Sequence, residues 1–263
     1  MLQLYTLILI FTIAISANII TMDNDNMITV RGTINSMTSN KFILDTSDKN
    51  NNKELFIYIN SPGGSVMEGF YMVEHIKFLQ EQNITISCIA DFAASMAFVL
   101  LQFCNNRYAF SSSILMQHSM SLQLKGTLPG VESYMKMLRD INIYFDMYQS
   151  ERINVSYDDF IKKTTSDWWI SGLTAKMDKV IDKIIIAKCH ISLHSMNETI
   201  TKNTMFGEIQ LIYSKCPMVK HPLNIIFLFN YTMEQYNSIV KEVNSDMRQV
   251  KEIQRFSSLN EEL

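Results

Sequence analysis

Three residues of this chain have side chains that could carry out nucleophilic catalysis together: Ser95, His118 and Asp167. A serine hydroxyl attacks a carbonyl efficiently only when a positioned imidazole accepts its proton. The imidazole in turn needs a carboxylate that holds its tautomer and stabilises the imidazolium. These three residue types therefore suit an acyl-transfer reaction such as peptide hydrolysis.

Each of these residues also has a purely structural interpretation. Ser95, in "IADFAASMAF", lies where a strand gives way to a helix, and a serine there usually caps the helix. His118, in "SILMQHSM", shares a strand face with Ile114 and Met116, where a lone histidine is usually a core residue. Asp167 lies beside two tryptophans in "TTSDWWIS", where burial would be costly unless the carboxylate has a partner. Taken singly, none of the three identifies an active site.

A fourth feature is the stretch "LFIYINSPGGSVMEGFYMVEHI", residues 55–76, which places Pro-Gly-Gly between a buried strand and a helix. Pro62 fixes its own φ, whereas Gly63 and Gly64 permit positive φ and the close approach of another chain segment. One interpretation is a simple strand-to-helix turn. The other is a backbone ledge whose N–H groups face a ligand or a developing negative charge.

The elements that must position these residues alternate between strand and helix from residue 27 onwards. The predicted strands are "MITVRGTI", "NNNKELFIYIN", "ITISCIADF" and two short strands within "RYAFSSSILMQHSM". The predicted helices are "SNKFILDT", "VMEGFYMVEHIKFLQ", "ASMAFVLLQF" and the long "GVESYMKMLRDINIYFDMYQSERI". The finish, from "DDFIKKTTSDWWIS" to "KVIDKIIIAK", is predicted to be rich in strands. This alternation indicates an α/β fold with a parallel sheet and helical crossovers.

The motifs "YINSPGGSV" and "AASM" and the strand that carries His118 occur in collinear order between residues 28 and 186. In this order they resemble the proteolytic subunit of the Clp protease. The resemblance implies a crotonase-like, repeated ββα superhelix and a serine endopeptidase activity on peptides or unfolded proteins. It further implies that Ser95 is the nucleophile, His118 the general base and Asp167 the residue that orients the base.

The same resemblance implies roles for the backbone. Gly64 and Met96 would donate N–H groups to the oxyanion of the tetrahedral intermediate. The strand edge at Gly63, Ser65 and Val66 would pair with the backbone of the substrate. The helix over residues 131–149 would be the protruding handle that, in this family, joins two heptameric rings.

Some residues depart from the family's usual pattern. Ala97 stands where the family usually has glycine, and Ser119 and Met120 stand where it usually has Gln-Pro. Trp168 replaces an arginine that often helps to lock one ring against the other, and an apolar amino terminus replaces the axial loops that face the ATPase. We therefore expect a homo-oligomer that is a single ring or smaller, and the sequence leaves an ATPase partner open.

Two other functions are consistent with this fold. A non-catalytic interaction subunit could keep the shape of the family, but it predicts the loss of a triad residue, and none is lost. A crotonase-type acyl-CoA enzyme shares the superfamily fold, but it has no need of an ordered Ser, His and Asp. The serine endopeptidase accounts for all three residues.

Three segments follow from these patterns. Residues 1–22 are predicted to be a signal peptide or membrane anchor, since the chain is almost continuously apolar over residues 2–20. Residues 27–188 are predicted to form the peptidase domain, and residues 189–263 a carboxyl-terminal extension of unknown role. We expect an exported or membrane-associated protein, in which Cys189 and Cys216 could pair.

Composition excludes several other classes of function. The net charge of −3 gives no electrostatic footprint for nucleic acid. The four cysteines lack the spacing of a metal site, and no nucleotide-binding glycine pattern occurs. We therefore expect no cofactor and no metal, and any ATP dependence would come from a partner.

Overall fold

A six-stranded sheet forms the centre of the computed structural model, which describes residues 19–49, 52–229 and 231–243. Four parallel strands lie side by side in chain order: β2 (Met27–Arg31), β3 (Glu54–Ser61), β4 (Thr85–Ala94) and β5 (Asn106–Gln117). Two further strands pair with β5, namely β6 (Trp168–Ser171), which is antiparallel to it, and β7 (Lys183–Ile184), which is parallel. The predicted α/β class is confirmed.

Each crossover between successive parallel strands contains one helix: α1 (Ser36–Ser47), α2 (Val66–Glu81) or α3 (Met96–Phe103). Residues alternate between the two faces of a strand. Thus Ile57 and Ile59 belong to the core cluster beneath the helices, whereas Tyr58 belongs to a second cluster. Burial of these apolar side chains is the main favourable contribution to the stability of this layer.

The second face of the sheet is covered by segments that precede β2 and follow β7 in the chain. β1 (Ile19–Met22) pairs in parallel with β8 (Ile186–Cys189) as a separate two-stranded sheet. Met22, Ala187 and Leu193 pack here with Tyr58, and a disulfide joins Cys189 to Cys216, a pairing that the sequence had left open. A second disulfide joins Cys88 and Cys104, which lie in the main core.

The carboxyl-terminal extension forms a small layer of its own. It contains α7 (Ile191–His194), an antiparallel sheet of β9 (Asn197–Thr204), β10 (Gly207–Ser214) and β11 (Asn224–Phe227), and a helical stretch over residues 233–243. Lys220 contacts the buried carboxylate of Asp91 in β4 at 2.7 Å, so the extension is tied to the central sheet.

Predictions for three segments were wrong in detail. Residues 173–177 belong to the predicted strand-rich finish, but they are helical. Residues 107–120 were expected to form two short strands, but β5 is one strand, and residues 110–113 loop out between its paired segments. Residues 158–164 were expected to be extended, but they belong to the helix α5 (Tyr157–Thr164). Ser156 caps α5 by accepting a hydrogen bond from the amide of Asp159 at 3.1 Å, and Phe160 and Thr164 bury one face.

Between β5 and β6 the chain also forms the long helix α4 (Leu128–Ile153), and α6 (Gly172–Met177) follows β6. The predicted apolar face of α4 is divided between core and surface. Leu138 and Phe145 are buried, whereas Tyr134 is exposed together with Met137 and Met147. The carboxyl-terminal half of α4 therefore packs on the domain, while apolar side chains elsewhere on the helix face outward.

The predicted signal peptide or membrane anchor lies outside the described residues up to residue 18. Residues 19–22, which we assigned to the same apolar segment, form β1, and Met22 is fully buried. Within the described ranges, no helix is both long and apolar enough to cross a membrane.

Candidate active site

Ser95 lies in a sharp turn between the last residue of β4 and the first residue of α3. Its backbone has φ 55° and ψ −122°, a conformation that favours glycine and costs a residue with a side chain about 1–3 kcal/mol. Its amide donates to the carbonyl of Met116 in β5 at 2.8 Å, so the neighbouring strand holds the turn in place. Strain of this kind is concentrated at functional sites.

The side chain of Ser95 does not cap the helix that follows it. The residue occupies the N-cap position of α3, but its hydroxyl makes no capping hydrogen bond. Instead, Ser95 Oγ lies 2.9 Å from His118 Nε2, within hydrogen-bond distance. The capping interpretation of this serine is therefore excluded by the position of the hydroxyl.

His118 follows the last residue of β5 and is only partly buried, so it is not the buried core residue that the alternative interpretation predicted. Its amide donates to the side-chain oxygen of Gln117 at 3.2 Å, and Gln117 Nε2 donates to Gln149 of α4 at 2.6 Å. Both glutamines are buried. This network fixes the backbone from which the imidazole reaches Ser95.

Asp167 reaches the same site through the antiparallel register of β5 and β6. Gln117 pairs with Trp168, so the next residue outward on each strand, His118 and Asp167, come to lie near each other. Asp167 Oδ1 is 3.9 Å from His118 Nδ1, which is an ion-pair distance and too long for a hydrogen bond. The Asp167 side chain is 60% exposed, so it does not carry the burial cost that the neighbouring tryptophans suggested.

The glycines of the Pro-Gly-Gly turn allow the turn to pack directly against Ser95. Gly63 has φ 87°, and a Cβ there would lie 2.5 Å from the carbonyl oxygen of Ala94 and 2.7 Å from the amide of Met96. Gly64 has φ 148°, and a Cβ there would lie 2.3 Å from the carbonyl oxygen of Ile34. Both positions require close backbone approach, so the glycines serve more than a simple turn.

Backbone pairing with Ile34 leaves one amide of this turn unused. Ile34 donates to the carbonyl of Gly63 at 2.8 Å and accepts from the amide of Ser65 at 2.9 Å. Successive amides of an extended segment point in opposite directions, so the amide of Gly64 is not used by this pairing. Gly64 and Met96 line one cleft with Ser95, as does Val66 at the start of α2.

A polar stripe on α4 forms part of the cleft wall, and our sequence analysis did not single it out. Asn142, Asp146 and Gln149 all line the cleft that contains Ser95 and His118. Their spacing of four and three residues places them on one face of the helix. The apolar residues of α4 form a stronger pattern, which predicted only a buried face. Burial raises the pKa of Asp146 to about 6, although a hydrogen bond from Asn142 acts in the opposite direction.

The chain is similar to known proteins over the part that contains this site. The model of the Clp protease family matches residues 14–188, which is more than half of the chain. The ATP-dependent Clp protease proteolytic subunit 2 of Prochlorococcus marinus strain MIT 9312 is 31% identical over 159 residues, 59% of this chain and 75% of that protein. The protein of the same name from Prochlorococcus marinus subsp. pastoris is 33% identical over 160 residues, 59% of this chain and 76% of the relative. This chain belongs to the Clp protease family.

Proposed function

We propose that this protein is a serine endopeptidase in which Ser95 attacks the peptide carbonyl. The observation that carries the proposal is the 2.9 Å contact between Ser95 Oγ and His118 Nε2 at a strained strand-to-helix turn. A serine that is held out of its capping role and placed on an imidazole has the geometry of an activated nucleophile. Membership of the Clp protease family supports peptide bonds as the substrate.

In the proposed mechanism, His118 Nε2 takes the proton from Ser95 as Oγ bonds to the carbonyl carbon. The tetrahedral intermediate then collapses, and His118 gives the proton to the amine that leaves. Water then attacks the acyl-enzyme carbonyl carbon while His118 Nε2 takes a proton from it. The second tetrahedral intermediate collapses as His118 gives that proton to Ser95 Oγ, which breaks the acyl bond and releases the acid product. The chemistry itself needs no nucleotide, so it is independent of any ATPase partner.

Asp167 is the proposed orienting carboxylate. Asp167 Oδ1 lies 3.9 Å from His118 Nδ1, so it must move about 1 Å closer to accept a hydrogen bond from the imidazole. Catalytic hydrogen bonds are often long in the absence of substrate and shorten when substrate binds. Its exposure to solvent leaves the side chain room for this movement.

The amides of Gly64 and Met96 are the proposed donors to the oxyanion. The Gly64 amide is supported by the pairing with Ile34, which uses the amide of Ser65 but not that of Gly64. The Met96 amide is at the first residue of α3, where N–H groups have no partner within the helix. One such donor typically contributes about 3–4 kcal/mol to transition-state stabilisation. Substrate-backbone pairing was expected at Gly63, Ser65 and Val66, but the Gly63 carbonyl and the Ser65 amide already pair with Ile34. We therefore assign it to the opposite side of this segment, at Gly64 and Val66.

Assembly and location are part of the same proposal. The exposed apolar side chains of α4, among them Tyr134, Met137 and Met147, suit a contact with a second copy of the chain. All four cysteines of the chain are paired in disulfides, which persist in oxidising compartments. This pairing supports our proposal that the protein is exported or attached to a membrane through residues 2–20.

The proposed activity is tested by labelling the full chain with a fluorophosphonate probe. Ser95→Ala replaces one small residue with another, so the variant should fold normally, lose labelling and lose hydrolysis of an unstructured peptide. A second serine on the same surface, Ser121→Ala, is a matched control that should keep the labelling. Undiminished hydrolysis by purified Ser95→Ala protein would refute the serine-peptidase mechanism.

A further inference from the structure

One wall of the cleft beside Ser95 has no part in the proposed bond cleavage. α4 supplies this wall with Asn142, Asp146 and Gln149, while Val66, Val99 and Phe145 supply apolar surface to the same cleft. In a serine peptidase, the side chain on the acyl side of the scissile bond occupies the pocket next to the nucleophile. The chemistry of this wall therefore bears on which substrates are cleaved.

Two of the three polar side chains have their hydrogen bonds within the protein. Gln149 is fully buried, accepts from Gln117 Nε2 at 2.6 Å and donates to the carbonyl of Phe145 at 3.1 Å. Asn142 Nδ2 donates to Asp146 Oδ2 at 2.6 Å. The side-chain amides of Gln149 and Asn142 are therefore already engaged within the protein.

Asp146 differs because its charge has no cationic partner within the part of the chain that the structure describes. Its single hydrogen bond there comes from the neutral amide of Asn142 and occupies Oδ2, which leaves Oδ1 available. The raised pKa of this carboxyl has the same origin, since burial outweighs the one hydrogen bond. A partly buried carboxylate of this kind gains most from a ligand that brings a positive charge.

Lysine and arginine side chains match both parts of the cleft. They combine an apolar stem with a cationic head, and the stem packs favourably on apolar surface. The stem would contact Val66, Val99 and Phe145, and the head would reach Asp146 at the helix wall. A norleucine side chain would make the same apolar contacts without the ionic one.

We infer that Asp146 directs this protein to substrates that carry lysine or arginine on the acyl side of the scissile bond. The inference rests on the proposed function, because the cleft is a substrate pocket only if Ser95 is the nucleophile. Asp146 acts here as a specificity-determining residue and takes no part in proton transfer.

The test uses the full chain and two fluorogenic peptides that differ only at that residue, lysine in one and norleucine in the other. We expect wild type to favour the lysine peptide by about tenfold or more in kcat/KM, as a close charge pair allows. Asp146→Asn should bring the ratio near one and change the norleucine value only a few-fold. Asp140→Asn, the same substitution at an exposed position of α4, should leave the ratio unchanged.

Two outcomes would overturn the inference alone: a wild-type ratio of one or below, or an Asp146→Asn variant that keeps the wild-type ratio. Rates of Ser95 labelling by a lysine-type and a norleucine-type phosphonate supply the same ratio if neither peptide is turned over. Absence of both hydrolysis and labelling would refute the proposed function itself, and the inference with it.

Discussion

Gly63→Ala is the most direct test of whether the Pro-Gly-Gly turn holds the nucleophile in place. An added Cβ would lie 2.5 Å from the Ala94 carbonyl oxygen, 2.7 Å from the Met96 amide nitrogen and 2.8 Å from Ser95 Cβ. Two of these atoms are backbone, and the third is fixed to the backbone, so none can rotate away. The turn and the Ser95 segment must therefore separate to accept the methyl group.

The expected cost has two parts. A side chain at the positive φ of Gly63 costs about 1–2 kcal/mol, and overpacking at a tight contact costs about 1–3 kcal/mol more. We expect Gly63→Ala to lower the free energy of unfolding by about 2–5 kcal/mol. Displacement of the Met96 amide should also lower kcat by about 10²–10³-fold, the effect of losing one oxyanion donor.

Gly32→Ala is the matched control because it separates the cost of positive φ from the cost of overpacking. Gly32 has φ 72°, but a Cβ there would have no atom within 4 Å. It should therefore cost only the conformational term of about 1–2 kcal/mol and keep its labelling rate. Urea unfolding gives the stabilities, and the rate of fluorophosphonate labelling under folding conditions reports on the site. Equal stabilities and equal labelling rates for the two variants would refute the reasoning.

Three other expectations concern the base, a buried ion pair and assembly. His118→Ala should lose as much turnover as Ser95→Ala. Asp167→Asn should lose less, about 10²–10³-fold, because the Asp167 carboxylate is exposed and lies 3.9 Å from His118 Nδ1. Equal losses of turnover for His118→Ala and Asp167→Asn in steady-state assays would contradict this. Asp182→Asn should cost about 2–4 kcal/mol in urea unfolding at pH 7, because the guanidinium of buried Arg107 loses its carboxylate at 2.6 Å. Burial acts to raise the pKa of Asp182, but the hydrogen bonds and charge of Arg107 lower it overall. The stabilisation by the Asp182 carboxylate is therefore complete at pH values above 3.8, the pKa of the unfolded chain, and is lost as pH falls through the lower folded pKa. If Asp182→Asn still lowered the free energy of unfolding at the lowest pH, that result would argue against this ion pair. Light scattering of the full chain should give a multiple of the single-chain mass that Met137→Glu reduces; a fully active monomer would show that α4 makes no contact between copies.

The sequence was sufficient for the elements whose side chains repeat regularly. α2 and α3 were predicted from helical spacing, and β3 and β4 from apolar runs, because local burial patterns determine these elements. α5 was missed because its helical signals are a polar cap and charged ends around only two buried residues, Phe160 and Thr164. Such a short helix depends on its contacts with the rest of the fold.

The candidate site was partly accessible from the sequence. The resemblance to the Clp protease family pointed to Ser95 and His118, and the structure places the two side chains in contact. The exposure of Asp167 and its distance from the imidazole could not be predicted, since both depend on the pairing of β5 with β6. The stripe that contains Asp146 was visible as a spacing, but only the tertiary fold shows that it faces the nucleophile.

The parallel pairing of β1 with β8 has a consequence for the order in which the chain folds. Ile19 pairs with Ile186, 167 residues later along the chain (186 minus 19). The strands β2 to β5 can associate one after another during synthesis, because each joins the strand that came before it. β1 must wait until β8 has emerged, which takes roughly 10–30 s at about 5–20 residues per second.

During that interval the edge of β1 and the buried position of Met22 have no permanent partner. Contacts between distant parts of a chain also form slowly, because loop closure precedes the gain in contact energy. The sheet that carries Ser95 can therefore form before the layer behind it closes. Cys189, the last residue of β8, can form its disulfide with Cys216 only after this late part of the chain has been synthesised.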